Sequence, residues 1–207
     1  LPNLRELYVS YSGVTELRMG SSTDLQGLNL VGNCNLVLNG ERESHLDNHR
    51  LRSLKLGRIL TYLSLPVSKR WYMSSDHLEI PGYGDFFQPL TSLEELIIFE
   101  WAYEVDTIQD SLFAGLRNLR ELHSRKFGLT HVSEGDFADL QSLQVLDLAS
   151  NRITNINRTS FPRFLLKSLA HLDLSENPFD CTCKLFWFFD WIKGNKYKMV
   201  QYDFSPE

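Results

Sequence analysis

The residues best suited to chemistry in this sequence are its cysteines and two regularly spaced aspartates. The three cysteines are Cys34, Cys181 and Cys183. A Cys-x-Cys pair suits zinc or disulfides, but no His or Cys pair has the matching spacing of a zinc site, so no metal centre is predicted. An odd number of cysteines in a secreted protein indicates a free thiol or a partner outside the sequence.

Asp147 and Asp173 occupy equivalent positions of a repeating unit, which predicts that they lie on neighbouring strands. Two adjacent carboxylates could hold a metal ion, or could be solvated or bridged by water, and we favour the solvated alternative. The sequence contains no G-x-S-x-G, H-E-x-x-H or phosphate-binding glycine loop. We therefore expect a protein that is not an enzyme and that takes no cofactor.

The elements that would position these residues follow the repeating unit L-x-x-L-x-L. Its copies begin 18 to 26 residues apart, mostly within the range of about 20–29 residues that is typical of leucine-rich repeats. Since side chains alternate along a strand, the leucines should point into a core and the intervening residues outward. The copies begin at Leu4, Leu25, Leu51, Leu93, Leu119, Leu143 and Leu169, with a poorer one at Ser75.

Two further columns of residues recur with the leucines. Asparagines follow the last leucine of a unit by three residues, where an inward amide can satisfy backbone groups in the turn. An F-x-x-L pair predicts a stacked spine of phenylalanines beneath the convex side. The residues of these columns are Asn33, Asn151 and Asn177, and Phe87, Phe113, Phe137 and Phe161.

These patterns predict an α/β leucine-rich-repeat solenoid (horseshoe) with a parallel β-sheet on the concave face and an irregular or short-helical convex side. About seven to eight repeats would span residues 1–176, followed by an incomplete C-terminal cap over residues 177–207. A solenoid needs a cap because its last repeat otherwise exposes its core.

The aromatic segment after the last repeat has the length of a short capping helix, ended by Gly194. Its buried face would comprise Phe188 and Trp191, or Leu185 with Phe188 and Phe189. We therefore expect these aromatic side chains to cover the core of the last repeat rather than to form a ligand site.

The segment NPFDCTC followed by WFFDWI resembles the C-terminal leucine-rich-repeat cap of Toll-like receptors, and the F-x-x-L repeats fit that family along the whole chain. The resemblance implies that Cys181 and Cys183 form disulfides with two later cysteines, which this sequence lacks. It therefore implies a truncated ectodomain of a single-pass membrane receptor, in an extracellular or endosomal-lumenal setting. There, the sequon Asn157-Arg158-Thr159 permits glycosylation.

Uneven charge and irregular repeats select a candidate binding surface. Residues 41–70 carry seven Lys/Arg against three acids, whereas residues 71–110 carry nine acids and no Lys or Arg. This asymmetry could steer a partner of mixed charge or could mark solvated faces. Aromatics also concentrate here. The candidate ligand or dimer contacts are Lys55, Arg58, Trp71, Tyr72, Glu95, Ile97, Phe99, Glu100, His123, Arg125 and Lys126.

The resemblance implies ligand recognition and dimerisation in an innate immune receptor that senses a microbial molecule. A second receptor chain is one expected partner, and the ligand could be a protein, a lipid-bearing molecule or a nucleic acid. The net charge of −5 speaks against nucleic acid. Two alternatives remain: an extracellular adhesion or matrix protein without signalling, and an intracellular scaffold, which the Cys-x-Cys cap opposes. No apolar stretch in this sequence is long enough to span a membrane.

Overall fold

In a computed structural model of the chain, the described residues are 3–14, 16–17, 24–33, 37–38, 50–57, 87, 90–99, 112–180 and 183–199. Along these ranges, eight strands precede the first α-helix, which is followed by a ninth strand and the second α-helix. The strands are β1 Glu6–Tyr8, β2 Glu16–Leu17, β3 Gly27–Asn29, β4 Val37–Leu38, β5 Ser53–Gly57, β6 Glu95–Phe99, β7 Glu121–His123, β8 Val145–Asp147 and β9 His171–Asp173. The α-helices are α1 Arg163–Ser168, before β9, and α2 Phe186–Asn195.

Seven of these strands form one parallel sheet in the order β1-β3-β5-β6-β7-β8-β9. Each strand pairs with the next so that the middle leucines of the repeats, such as Leu122 and Leu146, stand in register. Strands β2 and β4 pair in a separate parallel ladder. The predicted solenoid with a parallel sheet is therefore confirmed, while the poorer repeat at Ser75 lies outside the described residues.

A column of stacked phenylalanine rings fills the core behind the sheet. The ring centroids of Phe87 and Phe113 are 6.5 Å apart, those of Phe113 and Phe137 are 6.4 Å apart, and those of Phe137 and Phe161 are 5.9 Å apart. All four side chains are buried. The predicted spine is confirmed, and its regular spacing follows from one phenylalanine being supplied by each repeat.

The asparagine column satisfies backbone groups of the turns, as predicted. The Oδ1 atom of Asn151 accepts the backbone N–H groups of Phe127, Gly128 and Leu129 at 2.9, 2.9 and 3.2 Å. Its Nδ2 atom donates to the carbonyl of Leu148 in its own repeat and to that of Ser124 in the preceding repeat. Asn33 and Asn177 bridge their own neighbouring repeats in the same manner.

Phe127 occupies the asparagine position of its repeat and is buried in the core at 3% exposure. Its backbone N–H is satisfied by Asn151 of the next repeat.

The residue before the asparagine position has a left-handed backbone in each described turn. The φ angles are 50° at Tyr11, 78° at Gly32, 52° at Lys126, 57° at Ser150 and 56° at Glu176. This conformation carries a steric cost for every residue but glycine. Apart from Gly32, each of these turns therefore contains one strained residue.

The helix α2 covers the last repeat with one face. Leu185 and Phe188 are buried, and the ring of Trp191 stacks on that of Phe188 with centroids 5.8 Å apart. Phe188, which both predicted alternatives included, is therefore buried, as is Leu185, while Trp191 is half-buried. Phe189 is 46% exposed, so the alternative that buried it is wrong.

The end of α2 also differs from the expectation, because the helix runs through Gly194 and ends at Asn195. Gly194 has no left-handed backbone. Instead, the side chain of Asn195 donates a hydrogen bond to the carbonyl of Trp191 at 2.8 Å. Neither helix in the described ranges is long and apolar enough to cross a membrane.

Candidate functional site

The side of the sheet opposite the core leucines is formed by the residues between and after them. We call it the outer sheet face, and it comprises the third, fifth and seventh residues of each repeat, counted from the first leucine. The register places the columns of third and fifth residues side by side, as predicted. They are Glu6, Gly27, Ser53, Glu95, Glu121, Val145 and His171, and Tyr8, Asn29, Lys55, Ile97, His123, Asp147 and Asp173.

A network of five ionisable side chains from β7, β8, β9 and the turn after β7 lies on this face at the C-terminal end of the sheet. We call it the charged cluster: Glu121, His123, Arg125, Asp147 and Asp173. The Arg125 guanidinium bridges two strands, with Nε 3.2 Å from Asp147 Oδ2 and Nη2 3.1 Å from Asp173 Oδ2. The His123 ring lies between two carboxylates, 3.6 Å from that of Asp147 and 3.5 Å from that of Glu121.

The two aspartates of the charged cluster are buried, which corrects the expectation that they are solvated. The side chain of Asp147 is 1% exposed and that of Asp173 is 4% exposed. Burial of a carboxylate is costly unless it is paired and hydrogen-bonded. Arg125 supplies the pairing, because it stands two residues beyond His123 of β7 and reaches forward to Asp147 of β8 and Asp173 of β9.

A second interaction fixes each aspartate to the end of its own strand. Asp147 Oδ1 accepts the backbone N–H of Ala149 at 2.9 Å, and Asp173 Oδ1 accepts that of Ser175 at 2.9 Å. Asn29 does the same for Val31 at 3.1 Å. An Asn or Asp at the fifth position thus forms a local side-chain turn that ends the strand.

The electrostatic environment favours the charged form of Asp147. Burial alone would raise the pKa of Asp147, but the neighbouring His123 ring, the Ala149 backbone N–H and the positive charge of Arg125 together hold it below its ordinary value of 3.8. Such a carboxylate is a permanent acceptor at neutral pH. It is therefore suited to orienting Arg125 rather than to transferring protons.

Within the described ranges, no group of three or more His, Cys, Asp or Glu side chains is arranged to hold a metal ion. The charged cluster instead arranges cationic and anionic groups side by side at fixed positions. Of its members, Glu121 and Arg125 reach solvent, with side chains 40% and 21% exposed. Chemically, this arrangement can recognise a partner that carries charged or hydrogen-bonding groups.

The predicted contact residues divide between exposed and buried positions. Lys126 is exposed and Glu95 is half-buried, whereas Ile97, Phe99 and His123 are buried at 2%, 8% and 3% exposure. Ile97 and Phe99 pack with Val31 in a small apolar cluster on the outer sheet face, separate from the main core.

Other predicted residues are placed only in part. Lys55 lies in β5 in register with Ile97. Cys183 is exposed, as is Asn157. The remaining predicted site residues lie outside the described ones: Arg58, Trp71, Tyr72, Glu100 and Cys181.

The basic and acidic runs of the sequence meet across the sheet. Arg52, from the basic run, is 3.7 Å from Glu94, from the acidic run, and Ser53 donates to Glu95 at 2.5 Å. An exposed ion pair of this kind contributes only about 0–1 kcal/mol. Here, a basic residue from one run and an acidic residue from the other lie side by side and form an ion pair.

Two tyrosines are exposed at the end of β1, of which Tyr8 lies in the predicted outward column and Tyr11 was missed by sequence reasoning. Tyr8 and Tyr11 are 63% and 59% exposed. The Tyr8 hydroxyl donates to Glu6 at 3.1 Å, and this hydrogen bond is the main reason why the pKa of Tyr8 is raised. The Tyr11 ring lies where a side chain at Gly32 would stand. The glycine at position 32, where the other described repeats have a larger residue, was the sequence signal that a neighbouring side chain packs there.

The sequence of this chain is similar to those of known leucine-rich-repeat proteins. The family described as Leucine rich repeat matches residues 103–153. The mouse CD180 antigen is 26% identical over 96% of this chain and 35% of its own length. Human Toll-like receptor 5 is 26% identical over 72% of this chain and 19% of its own length. Zebrafish (Danio rerio) leucine-rich repeat-containing protein 3B is 39% identical over 39% of this chain and 30% of its own length.

The chain spans about a third of the length of the curated relatives CD180 and leucine-rich repeat-containing protein 3B. Two of the relatives named above, CD180 and Toll-like receptor 5, align with most of the repeats. Together with the parallel sheet, the matches support a receptor-like role for these repeats. The chain contains a leucine-rich-repeat domain whose homologues include Toll-like receptors and CD180.

Proposed function

We propose that this chain is the ligand-recognition and dimerisation part of an innate immune pattern-recognition receptor of the Toll-like receptor type, which senses a microbial molecule. Repeats over residues 1–176 form the recognition surface, and residues 177–207 belong to the cap. The chain then belongs to the extracellular or endosomal-lumenal part of a single-pass membrane receptor. Its partners are the microbial ligand and a second receptor chain.

The observation that carries this proposal is the charged cluster on the outer sheet face. Arg125 is held by two buried aspartates, so its guanidinium loses little freedom when a partner binds, and pre-organisation of this kind favours affinity. The exposed Lys126 follows Arg125 directly at the left-handed turn. A partner can therefore meet cationic groups beside the acidic Glu121.

The proposed contact surface extends from the charged cluster toward β6 and β5, to include Glu95 and Lys55. Ile97, Phe99 and His123 also lie on this face, and because they are buried we propose that they pack beneath the exposed contact residues. Arg58, Trp71, Tyr72 and Glu100 are proposed to complete it. In an oxidising compartment, Cys181 and Cys183 are proposed to be paired in disulfides rather than free.

The alternative function is an extracellular adhesion or matrix protein without a signalling role. The chain is also similar to leucine-rich repeat-containing protein 3B, so its similarity extends beyond Toll-like receptors and CD180. The two functions differ in what binding does. A receptor chain dimerises when it binds its ligand, whereas an adhesion protein binds without that requirement.

A binding experiment on the purified chain tests the proposal. The probes are a synthetic lipopeptide, a single-stranded oligoribonucleotide and a bacterial surface protein, and light scattering follows the mass of each complex. We expect one probe to bind and to drive dimerisation, and Lys126→Glu or Glu121→Lys to weaken binding about tenfold, or roughly 1.4 kcal/mol. Lys167→Glu is the matched control, because Lys167 is an exposed lysine on α1. Failure of all three probes, or equal binding by all variants, would contradict the proposal.

A further inference from the structure

We infer that Asn157 is an N-glycosylation site, with its glycan on the side of the repeat beginning at Leu143 that adjoins the cap helix. This inference rests on the proposed extracellular or lumenal setting, in which the modifying enzyme acts. Asn157-Arg158-Thr159 is the one N-x-[ST] sequon in the 207-residue sequence. A sequon alone is a weak signal of glycosylation. The exposure and backbone conformation of these three residues decide whether an enzyme can reach them.

All three residues of the sequon are exposed. They form a β-turn with Ser160, whose backbone N–H donates to the Asn157 carbonyl at 3.1 Å. The turn places the Asn157 carboxamide and the Thr159 hydroxyl at the surface together, where both are accessible to an enzyme. N-linked glycans occur at such surface turns, because a buried carboxamide cannot be reached.

The turn is held in shape without the sequon side chains. The Asn157 backbone N–H donates to Ser160 Oγ at 3.0 Å, and that hydroxyl in turn donates to the carbonyl of Val132, in the preceding repeat, at 2.7 Å. Ser160 is buried at 1% exposure. A glycan on Asn157 would therefore displace none of the hydrogen bonds that form this turn.

The preceding repeat contains the same turn without a sequon. There, the Asp136 backbone N–H donates to the Ser133 carbonyl at 3.4 Å, and the Ser133 N–H donates to Asp136 Oδ2 at 2.7 Å. The parallel bridge between His131 and Asn155 stacks the two turns. The shape of the Asn157 turn is thus a property of the repeat, and the sequon is an addition to it.

The position of the turn separates the glycan from the outer sheet face. Residue 157 stands ten residues beyond the end of β8, on the return path toward the buried Phe161. The neighbouring Ile156 carbonyl accepts the indole N–H of Trp187 in α2 at 3.4 Å. A glycan at Asn157 would therefore shield the junction between repeat and cap and leave the charged cluster open to a partner.

The reaction needs a lipid-pyrophosphate-linked oligosaccharide as its donor. The amide nitrogen of Asn157 forms a bond to the anomeric carbon, while the bond from that carbon to the pyrophosphate oxygen breaks. The lipid pyrophosphate leaves with the bonding electron pair, and the amide loses one proton to the medium. No oxidant or reductant takes part.

The test is translation of the chain behind a cleavable signal peptide in the presence of microsomes, followed by protease protection and peptide mass mapping. We expect the protected wild-type chain to gain one glycan, removed by peptide-N-glycosidase with conversion of Asn157 to aspartate. Asn157→Gln and Thr159→Ala should lose the glycan, whereas Thr159→Ser should keep it. Thr159→Ala and Thr159→Ser are matched variants, because both keep Asn157 and they differ only in whether position 159 carries a hydroxyl.

A protected wild-type chain that carries unmodified Asn157 would overturn the inference. This outcome is distinct from a failure of the proposed function. The microsome assay supplies the lumenal compartment itself and requires no ligand, whereas the function is judged by probe binding and dimerisation.

Discussion

At the scale of single residues, the buried aspartates of the outer sheet face divide their oxygens between two tasks. In Asp147 and in Asp173, Oδ1 accepts a backbone N–H at the end of the strand, while Oδ2 faces Arg125. Each carboxylate thereby links the backbone of its own repeat to a side chain of an earlier repeat. The charged cluster is consequently a structural element of the sheet as well as part of its outer face.

The lowered pKa of Asp147 makes this contribution depend on pH. A group with a depressed pKa in the folded state stabilises the fold above its unfolded pKa, near 3.8, and loses that effect as the pH falls through the lower, folded value. We expect Asp147→Asn to destabilise the chain at neutral pH and to differ progressively less from wild type below about pH 4.

Chemical denaturation of both chains across the acid range measures this difference in the free energy of unfolding. Asp190→Asn is the control, because Asp190 is exposed in an ion pair with Lys193. A difference between Asp147→Asn and wild type that stays constant down to the lowest pH would contradict the assigned role.

The Oδ1 atom of Asn151 accepts hydrogen bonds from three backbone N–H groups at once. Asn151→Ala leaves these donors without their acceptor, and an unsatisfied buried donor costs about 1–3 kcal/mol. We expect a loss of at least about 2 kcal/mol in the free energy of unfolding, measured by urea denaturation.

The control for Asn151 is Asn118→Ala, which removes one exposed hydrogen bond to the carbonyl of Thr91. That variant should lose less than about 1 kcal/mol. Equal losses in the two variants would show that the position of the asparagine in the repeat carries no special stability.

At the scale of elements, Lys198 links the cap to the last repeat. It lies in the short 3-10 turn after α2 and is buried at 6% exposure. Its Nζ donates to the carbonyls of Leu166 and Lys167 near the end of α1, at 3.0 and 3.1 Å. The ammonium also lies 5.9 Å from the ring centroid of Trp191. A cation at the C-terminal end of a helix interacts favourably with its dipole.

We therefore expect Lys198→Met to loosen the cap, because it keeps most of the side-chain volume but removes the donor to two carbonyls. The loss in the free energy of unfolding should be about 1–3 kcal/mol, with faster proteolysis of the segment from Phe186 onward. Lys196→Met serves as the control, since Lys196 is exposed. Unchanged stability and proteolysis in Lys198→Met would refute the link.

The sequence predicted those elements whose residues repeat, because one period places the same side chain in the same environment. Leu122 and Leu146, or Phe113 and Phe137, could thus be assigned to the core without coordinates. The burial of Asp147 could not, since it depends on Arg125 reaching forward from the preceding repeat. Lys198 was equally unpredictable, because a lone lysine carries no pattern that shows what it will contact.

At the scale of the whole molecule, the parallel sheet places the columns of different strands on one continuous outer face. The glycan proposed at Asn157 and the cap contacts of Trp187 lie away from that face. On this account, the recognition surface, the modified surface and the capped end occupy different parts of the solenoid. A partner would engage the first of these surfaces without disturbing the other two.

Lysine acetylation of the chain, with and without whichever of the three probes binds, shows whether a partner occupies the outer sheet face. The exposed Lys126 borders the charged cluster, while Lys167 and Lys193 are exposed elsewhere. The account predicts that the bound partner shields Lys126 from acetylation and leaves Lys167 and Lys193 as reactive as before. Shielding of Lys167 or Lys193 with an unchanged Lys126 would contradict it, because the partner would then bind away from the outer sheet face.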